Sequence, residues 1–176
     1  MSDILYFDCF SGASGDMILG ALLDAGLPFD ELRSALGSLA LGDVTLETER
    51  VDRSGIGATK FRVCTSGHDH NHGTDHHHHH RGLSEICTMV DRSELSIAAK
   101  DRAKRLFKRL AETEALIHQK PIEDIHLHEV GAVDSIIDIA GAVFGLEWFG
   151  AKCIVASALN VGSGTVKCAH GLLPVP

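Results

Sequence analysis

The chain has 176 residues, 44% of them hydrophobic and 23% charged. This is the make-up of a globular protein of about one domain and excludes a disordered, collagen-like or disulfide-scaffold chain. Sixteen Lys and Arg against 24 Asp and Glu give a net charge of −8 with neutral histidines, so no basic stripe serves sequence-independent nucleic-acid binding. No run of 18 apolar residues offers a membrane span and MSDILYFDCFSG lacks the regions of a signal peptide, which predicts a cytoplasmic protein away from membranes.

Ile4–Asp8 is a short apolar run ending in an acid and predicts a buried strand. The small residues Cys9–Gly15 predict a loop. Met17, Leu19, Ala21, Leu22 and Leu23 then predict a helix over Asp16–Ala25, stopped by Gly26. Pro28, followed by Leu32, Ala35, Leu36 and Leu39, predicts a second short helix. Alternation over Val44–Val51 and Thr59–Thr65, with Phe61 and Val63 inward, predicts a hairpin turning within Asp52–Gly57.

Ser66–Gly82 has almost nothing to bury and predicts an exposed, largely disordered loop. A short helix over Leu83–Val90 precedes a long one capped by Ser93, with Ala99, Ala103, Leu106, Phe107, Leu110 and Ile117 on its apolar face. Pro121 breaks that helix. A second apolar helix over Val133–Phe149, with Trp148 in the core, leads to a strand at Cys153–Ala156, a glycine-rich turn and a last strand at Thr165–Cys168. The closing LLPVP reads as a linker or a cut. Interspersed strands and helices predict a two- or three-layer α/β domain with a mixed sheet.

Three constellations carry chemistry. Eight of the 12 histidines are His68, His70, His72 and His76, His77, His78, His79 and His80. Neutral imidazole suits nickel, copper and zinc, and a flexible chain wraps ions without selecting sharply among them. The plain alternative is an inert loop; a purification tag fits poorly, because the tract is internal and embedded in further Asp and His.

The second constellation is HLHEVGAVDSIID, with His128 and Glu129 ahead of Asp134 and Asp138. The two aspartates are four apart, hence on one helical face, in an otherwise apolar helix. Paired carboxylates in such a setting are costly unless a cation or donors meet them, and His128 and Glu129 could share that cation. The alternative is structural: Asp134 as a first-turn acid and Asp138 paired with a basic residue. HLHE is not HExxH, so a zinc protease is not supported.

The third is the strand–loop–helix run FDCFSGASGD. Ser11, Gly12, Ser14 and Gly15 could present backbone N–H groups to an anion, with Asp8 and Asp16 holding a bridging metal. It is neither a Walker A nor a GxGxxG sequence, and an ordinary tight turn capped by Asp16 is the alternative. Cys9 there is a nucleophile, a soft metal ligand or a small buried hydrophobe. The five cysteines include no CxxC pair, which argues against a zinc ribbon or a disulfide framework. His118 and His170 stand alone and read as structural.

Taken together, YFDCFSGASGDMILGALLDAG, HLHEVGAVDSIIDIAGA and NVGSGTVKCAHGLLPVP, with a histidine-rich insert between the first two, resemble the nickel-insertion proteins of nickel-pincer nucleotide biosynthesis. The resemblance spans nearly the whole chain. It implies an enzyme that places nickel into pyridinium-3,5-bisthiocarboxylic acid mononucleotide, forming two Ni–S bonds and one Ni–C bond with loss of a ring proton, for lactate racemase-type enzymes. It also implies CTP hydrolysis to CMP and pyrophosphate with Mg or Mn. Family members are longer, and their CTP site is associated with a C-terminal domain. The expected organisation is therefore a single N-terminal α/β domain over residues 1–176, residues 66–82 forming a metal-binding loop and the CTP-associated domain absent.

By position, Asp8, Ser11, Gly12, Ser14, Gly15 and Asp16 match the family's first motif. His128, Glu129, Gly131, Asp134 and Asp138 match the second, and His170 and Gly171 the third. The expected division of labour has the loop histidines collecting nickel, His128, Glu129, Asp134 and Asp138 lining the site for metal or substrate, and the Cys9–Asp16 turn binding the phosphate. Expected partners are the mononucleotide, nickel ions and the C-terminal half, on this chain or another; a homo-oligomer is compatible. The alternatives are a nickel storage or delivery module without turnover and, on the acids alone, a metal-dependent phosphohydrolase.

Overall fold

The computed structural model describes residues 4–65, 81–127, 133–168 and 171–175. The elements run β1 (Ile4–Phe7), α1 (Gly15–Asp24), α2 (Phe29–Gly37), β2 (Val44–Arg53), β3 (Ile56–Thr65), α3 (Leu83–Arg92) and α4 (Ile97–His118). A 3-10 turn at Ile122–Asp124 follows, then α5 (Val133–Phe149), β4 (Cys153–Ala156), β5 (Gly164–Cys168) and β6 (Gly171–Val175). This is the α/β class the interspersed pattern predicts. The strands pair as three two-stranded ladders: β1 with β4 in parallel, β2 with β3 and β5 with β6 antiparallel. Among the described residues no helix is long and apolar enough to cross a membrane. The chain divides into two compact units, Met1–Ser14 with Phe149–Pro176, and Gly15–Trp148.

In the larger unit, α1 ends as its sequence predicts. Gly26 takes a φ of +114°, the amide of Leu27 donates to the carbonyl of Leu22 at 3.0 Å, and that of Gly26 to Leu23 at 3.1 Å. This paired closure satisfies two of the helix's last carbonyls. α1 packs against α5 through glycine: a Cβ on Gly141 would lie 2.9 Å from Leu19, and one on Gly145 2.8 Å from Leu22. On another side Gly20 faces β3, where a Cβ would come within 2.4 Å of the Thr59 carbonyl oxygen. Leu19, Leu22, Phe61, Ile136, Ile137 and Val143 are buried in this unit.

The β2–β3 hairpin turns through Ser54 and Gly55, both at positive φ, the primed geometry that matches strand twist. The side chain of Asp52 accepts from the Gly55 amide at 2.8 Å. Phe61 faces inward, as the alternation predicts.

Three expectations in this unit need correction. The cap of α4 is Ser96, whose Oγ accepts from the Ala99 amide at 3.0 Å. Ser93 instead closes α3, its hydroxyl donating to the Val90 carbonyl at 2.7 Å. Second, α4 buries Ala99, Ala103, Phe107 and Ala111, while Leu106, Leu110 and Ile117 are exposed. The alanines allow close packing, so they set the buried stripe although they weigh little in an apolar pattern. Third, Trp148 is 41% exposed and its indole N–H donates to Glu31 at 3.0 Å, a partner a fully apolar core would not supply.

In the smaller unit the expected buried first strand is half open: Ile4 and Tyr6 are 59% and 58% exposed. Among the described residues β1 pairs only with β4, so no wider sheet encloses it. The LLPVP segment, read as a linker, forms most of β6. Pro174 sits opposite Thr165 in a two-stranded ladder, where its missing N–H is tolerated at an edge.

Candidate functional site

The larger unit contains a cavity of about 540 Å³ with two kinds of wall. One is acidic: Asp16 from the first turn of α1, with Asp134 and Asp138 from the first two turns of α5. The other is Lys60 to Thr65, six consecutive residues of β3. Side chains alternate across a strand, so consecutive lining residues mean that the strand is met edge-on.

The four-residue spacing of Asp134 and Asp138 thus does what helical geometry predicts, and Asp16 joins them because α1 crosses α5 closely at Gly15. A Cβ on Gly15 would lie 2.2 Å from the Asp138 Cβ and 2.4 Å from a carboxylate oxygen. Only a glycine there lets the start of α1 meet the Asp138 carboxyl. Partial burial, followed by the nearby carboxylates of Asp16 and Asp134, pushes the Asp138 carboxyl up from 3.8 to about 6. Asp138 therefore titrates close to neutrality and changes charge easily when a cation or a proton arrives.

On the opposite wall, Lys60 stands across the ladder from Glu49, yet Glu49 forms its ion pair with Arg62. Lys60, Arg62, Cys64 and Thr65 were not legible as site residues, since only the tertiary placement of β3 beside α1 and across the cavity from the start of α5 makes them so.

The smaller unit holds Asp8, Ser11, Gly12 and Ser14; Gly15 and Asp16 belong to the larger one. The turn after β1 is fastened to the segment after β4. The Cys9 amide donates to Ser157 Oγ at 2.7 Å, Asn160 donates through its side chain to the Phe10 carbonyl at 3.0 Å, and the Gly12 amide donates to the Cys9 carbonyl at 2.9 Å. Two amides of the proposed anion-binding turn are thus committed within the unit. Gly12 has a φ of +87° and its Cβ position lies 3.0 Å from the Asn160 carbonyl oxygen, so this turn also requires glycine. Cys9 is buried, and its thiol donates to the Phe7 carbonyl at 3.7 Å, the setting of a small packed hydrophobe. His118 pairs with Glu114 along α4 at 3.2 Å. Ser157 and Asn160 had no local signature as partners of the first motif.

His68, His70, His72 and His76 to His80, together with His128, Glu129, Gly131 and His170, lie outside the described residues. Among the described residues no group of three or more His, Cys, Asp or Glu side chains is placed to hold a metal ion.

Comparison with known proteins decides the family. The family described as nickel insertion protein matches residues 5–176. The chain belongs to that family. A relative from Wolinella succinogenes is 49% identical over 174 residues, covering 98% of this chain and 42% of its own length. Other relatives are named pyridinium-3,5-bisthiocarboxylic acid mononucleotide nickel insertion protein. That of Desulfitobacterium hafniense (strain DCB-2) is 47% identical and covers 97% of this chain and 40% of its own length. That of Geobacillus kaustophilus is 45% identical, covering 98% and 42%. The chain thus spans about two fifths of the length of the curated relatives it matches. No solved structure matches it.

Proposed function

We propose that this chain is the metal- and substrate-handling part of a nickel insertion enzyme acting on pyridinium-3,5-bisthiocarboxylic acid mononucleotide. The observation that carries the reading is the convergence of Asp16, Asp134 and Asp138 on one cavity in a chain of this family. The substrate's pyridinium ring is a cation, and three carboxylates form a wall that attracts it and offsets their own repulsion. His128 and Glu129, directly ahead of α5 in the sequence, join Asp134 and Asp138 around the metal or the ring. The histidines between His68 and His80 gather nickel, which is cargo and ends in the product. CTP consumption, with Mg or Mn, belongs to the part of the protein that the relatives have beyond this match.

The eight histidines between His68 and His80 also support a second reading, nickel storage or delivery without turnover. Deleting Ser66–Gly82 from the complete protein separates the two. An insertion enzyme keeps its rate at saturating nickel and slows when nickel is scarce. A storage module loses nearly all bound nickel on deletion and shows no turnover before or after it. Loss of insertion at every nickel concentration would mean that the segment is part of the reacting site, contrary to the proposal.

A further inference from the structure

The acidic cavity raises a question of charge. A bisthiocarboxylate mononucleotide carries a phosphate and two thiocarboxylates against one pyridinium, so it is anionic overall. It would enter a cavity with three aspartates in a chain of net charge −8. Such a ligand requires a positive group opposite the acids, or repulsion prevails. The cavity lining offers two, Lys60 and Arg62.

Arg62 is engaged: its guanidinium donates through two nitrogens to Glu49. Lys60 is not. Glu49 is its partner in the ladder register, but that carboxylate goes to Arg62, and Lys60 has no ion pair among the described residues. Nor is Lys60 among the charges that act on Asp138, which are those of Asp16 and Asp134. Lys60 is neither fully buried nor fully exposed, and it sits on a ten-residue strand paired along its whole length, so its backbone is firmly held.

We infer that Lys60 is the anion anchor of the cavity: its ammonium binds a phosphate or thiocarboxylate oxygen of the substrate while the pyridinium ring faces the aspartates of α1 and α5. This rests on the function proposed above and adds the residue that selects for an anionic substrate. A charge-assisted hydrogen bond of this kind corresponds to about a tenfold to hundredfold change in affinity.

The test uses the complete protein with saturating nickel and CTP, comparing wild type with Lys60→Met and Lys60→Arg. Lys60→Met should raise KM for the mononucleotide at least about tenfold with kcat nearly unchanged, and Lys60→Arg should restore most of the loss. Lys60→Gln gives the same reading if the methionine variant fails to fold. The dephosphorylated substrate identifies the group that is bound. If Lys60 meets the phosphate, wild type and Lys60→Met have the same KM for it; if Lys60 meets a thiocarboxylate, the gap persists. An unchanged KM in a folded variant, or a fall in kcat alone, overturns the inference. Should wild type insert no nickel, the proposed function fails, and direct calorimetric binding of the mononucleotide decides for Lys60: weaker binding by Lys60→Met supports the anchor, and equal binding refutes it.

Discussion

Replacing Gly20 by alanine is expected to destabilise the protein by about 2 kcal/mol, although the change improves helix propensity by roughly 1 kcal/mol. The reason is the crossing of α1 over β3. The new Cβ would lie 2.4 Å from the Thr59 carbonyl oxygen, a backbone atom within a paired strand that cannot rotate away. Either α1 lifts or β3 bends, and α1 carries Leu19 and Leu22 into the core and Asp16 to the cavity. Gly37 is the control. It ends α2, an added Cβ there meets nothing within 4 Å, and its alanine variant should be close to neutral. Urea unfolding of the two variants checks the pair. A Gly20→Ala protein as stable as wild type would mean that α1 does not lie against Thr59 as described.

The second large effect concerns Asp138, where stability and activity should move in opposite directions. Its carboxyl is held near 6 in the folded protein against 3.8 ordinarily, so the folded state binds the proton more tightly than the unfolded chain does. Stability from this group is therefore greatest in acid, falls as pH rises from about 4 to about 6, and stays low above that. Asp138→Asn keeps the shape and removes the charge. It should match wild type near pH 4 and exceed it at pH 7.5 by about 1 kcal/mol, the modest size reflecting solvent screening of a part-buried group. Nickel insertion by Asp138→Asn, and more so by the Asp134→Asn, Asp138→Asn double variant, should fall by roughly ten- to a hundredfold or more, as expected when charged contacts to a ligand are removed. Thermal unfolding at the two pH values and an insertion assay read both effects. A double variant that folds and inserts nickel at the wild-type rate would remove these aspartates from the mechanism.

These two residues also illustrate what the amino-acid sequence discloses. The helix of α5, its bounds and the shared face of Asp134 and Asp138 are local properties, set by a 3.6-residue period and a four-residue spacing, and they were legible. So were the Gly26 stop and the hairpin of β2 and β3, which depend on chemistry within a few residues. What was not legible is set by distant contacts. Nothing near Lys60 marks it as a cavity residue, because that depends on α1 packing against β3 and on the cavity that β3 shares with the start of α5. The choice between Ser93 and Ser96 as the α4 cap turns on whether α3 uses the first serine to close itself, and local pattern does not decide that. The exposure of Ile4 and Tyr6 escaped for a related reason: an apolar run reports suitability for burial, whereas the neighbours that would bury it belong to the rest of the fold. Gly15 and Gly20 fall between these cases. Their smallness is visible in the sequence, but its purpose, close approach to Asp138 and to the Thr59 carbonyl, emerges only in three dimensions.

In the proposed function this chain supplies the nickel- and substrate-handling site, and CTP is consumed by the remainder of the protein. The most direct test measures nickel incorporation into pyridinium-3,5-bisthiocarboxylic acid mononucleotide, with CTP and Mn or Mg. It compares the 176-residue chain alone, the remaining C-terminal portion alone, and the two mixed. Incorporation is expected only on mixing. Incorporation by the C-terminal portion alone, or nickel bound by this chain with no incorporation on mixing, would contradict it.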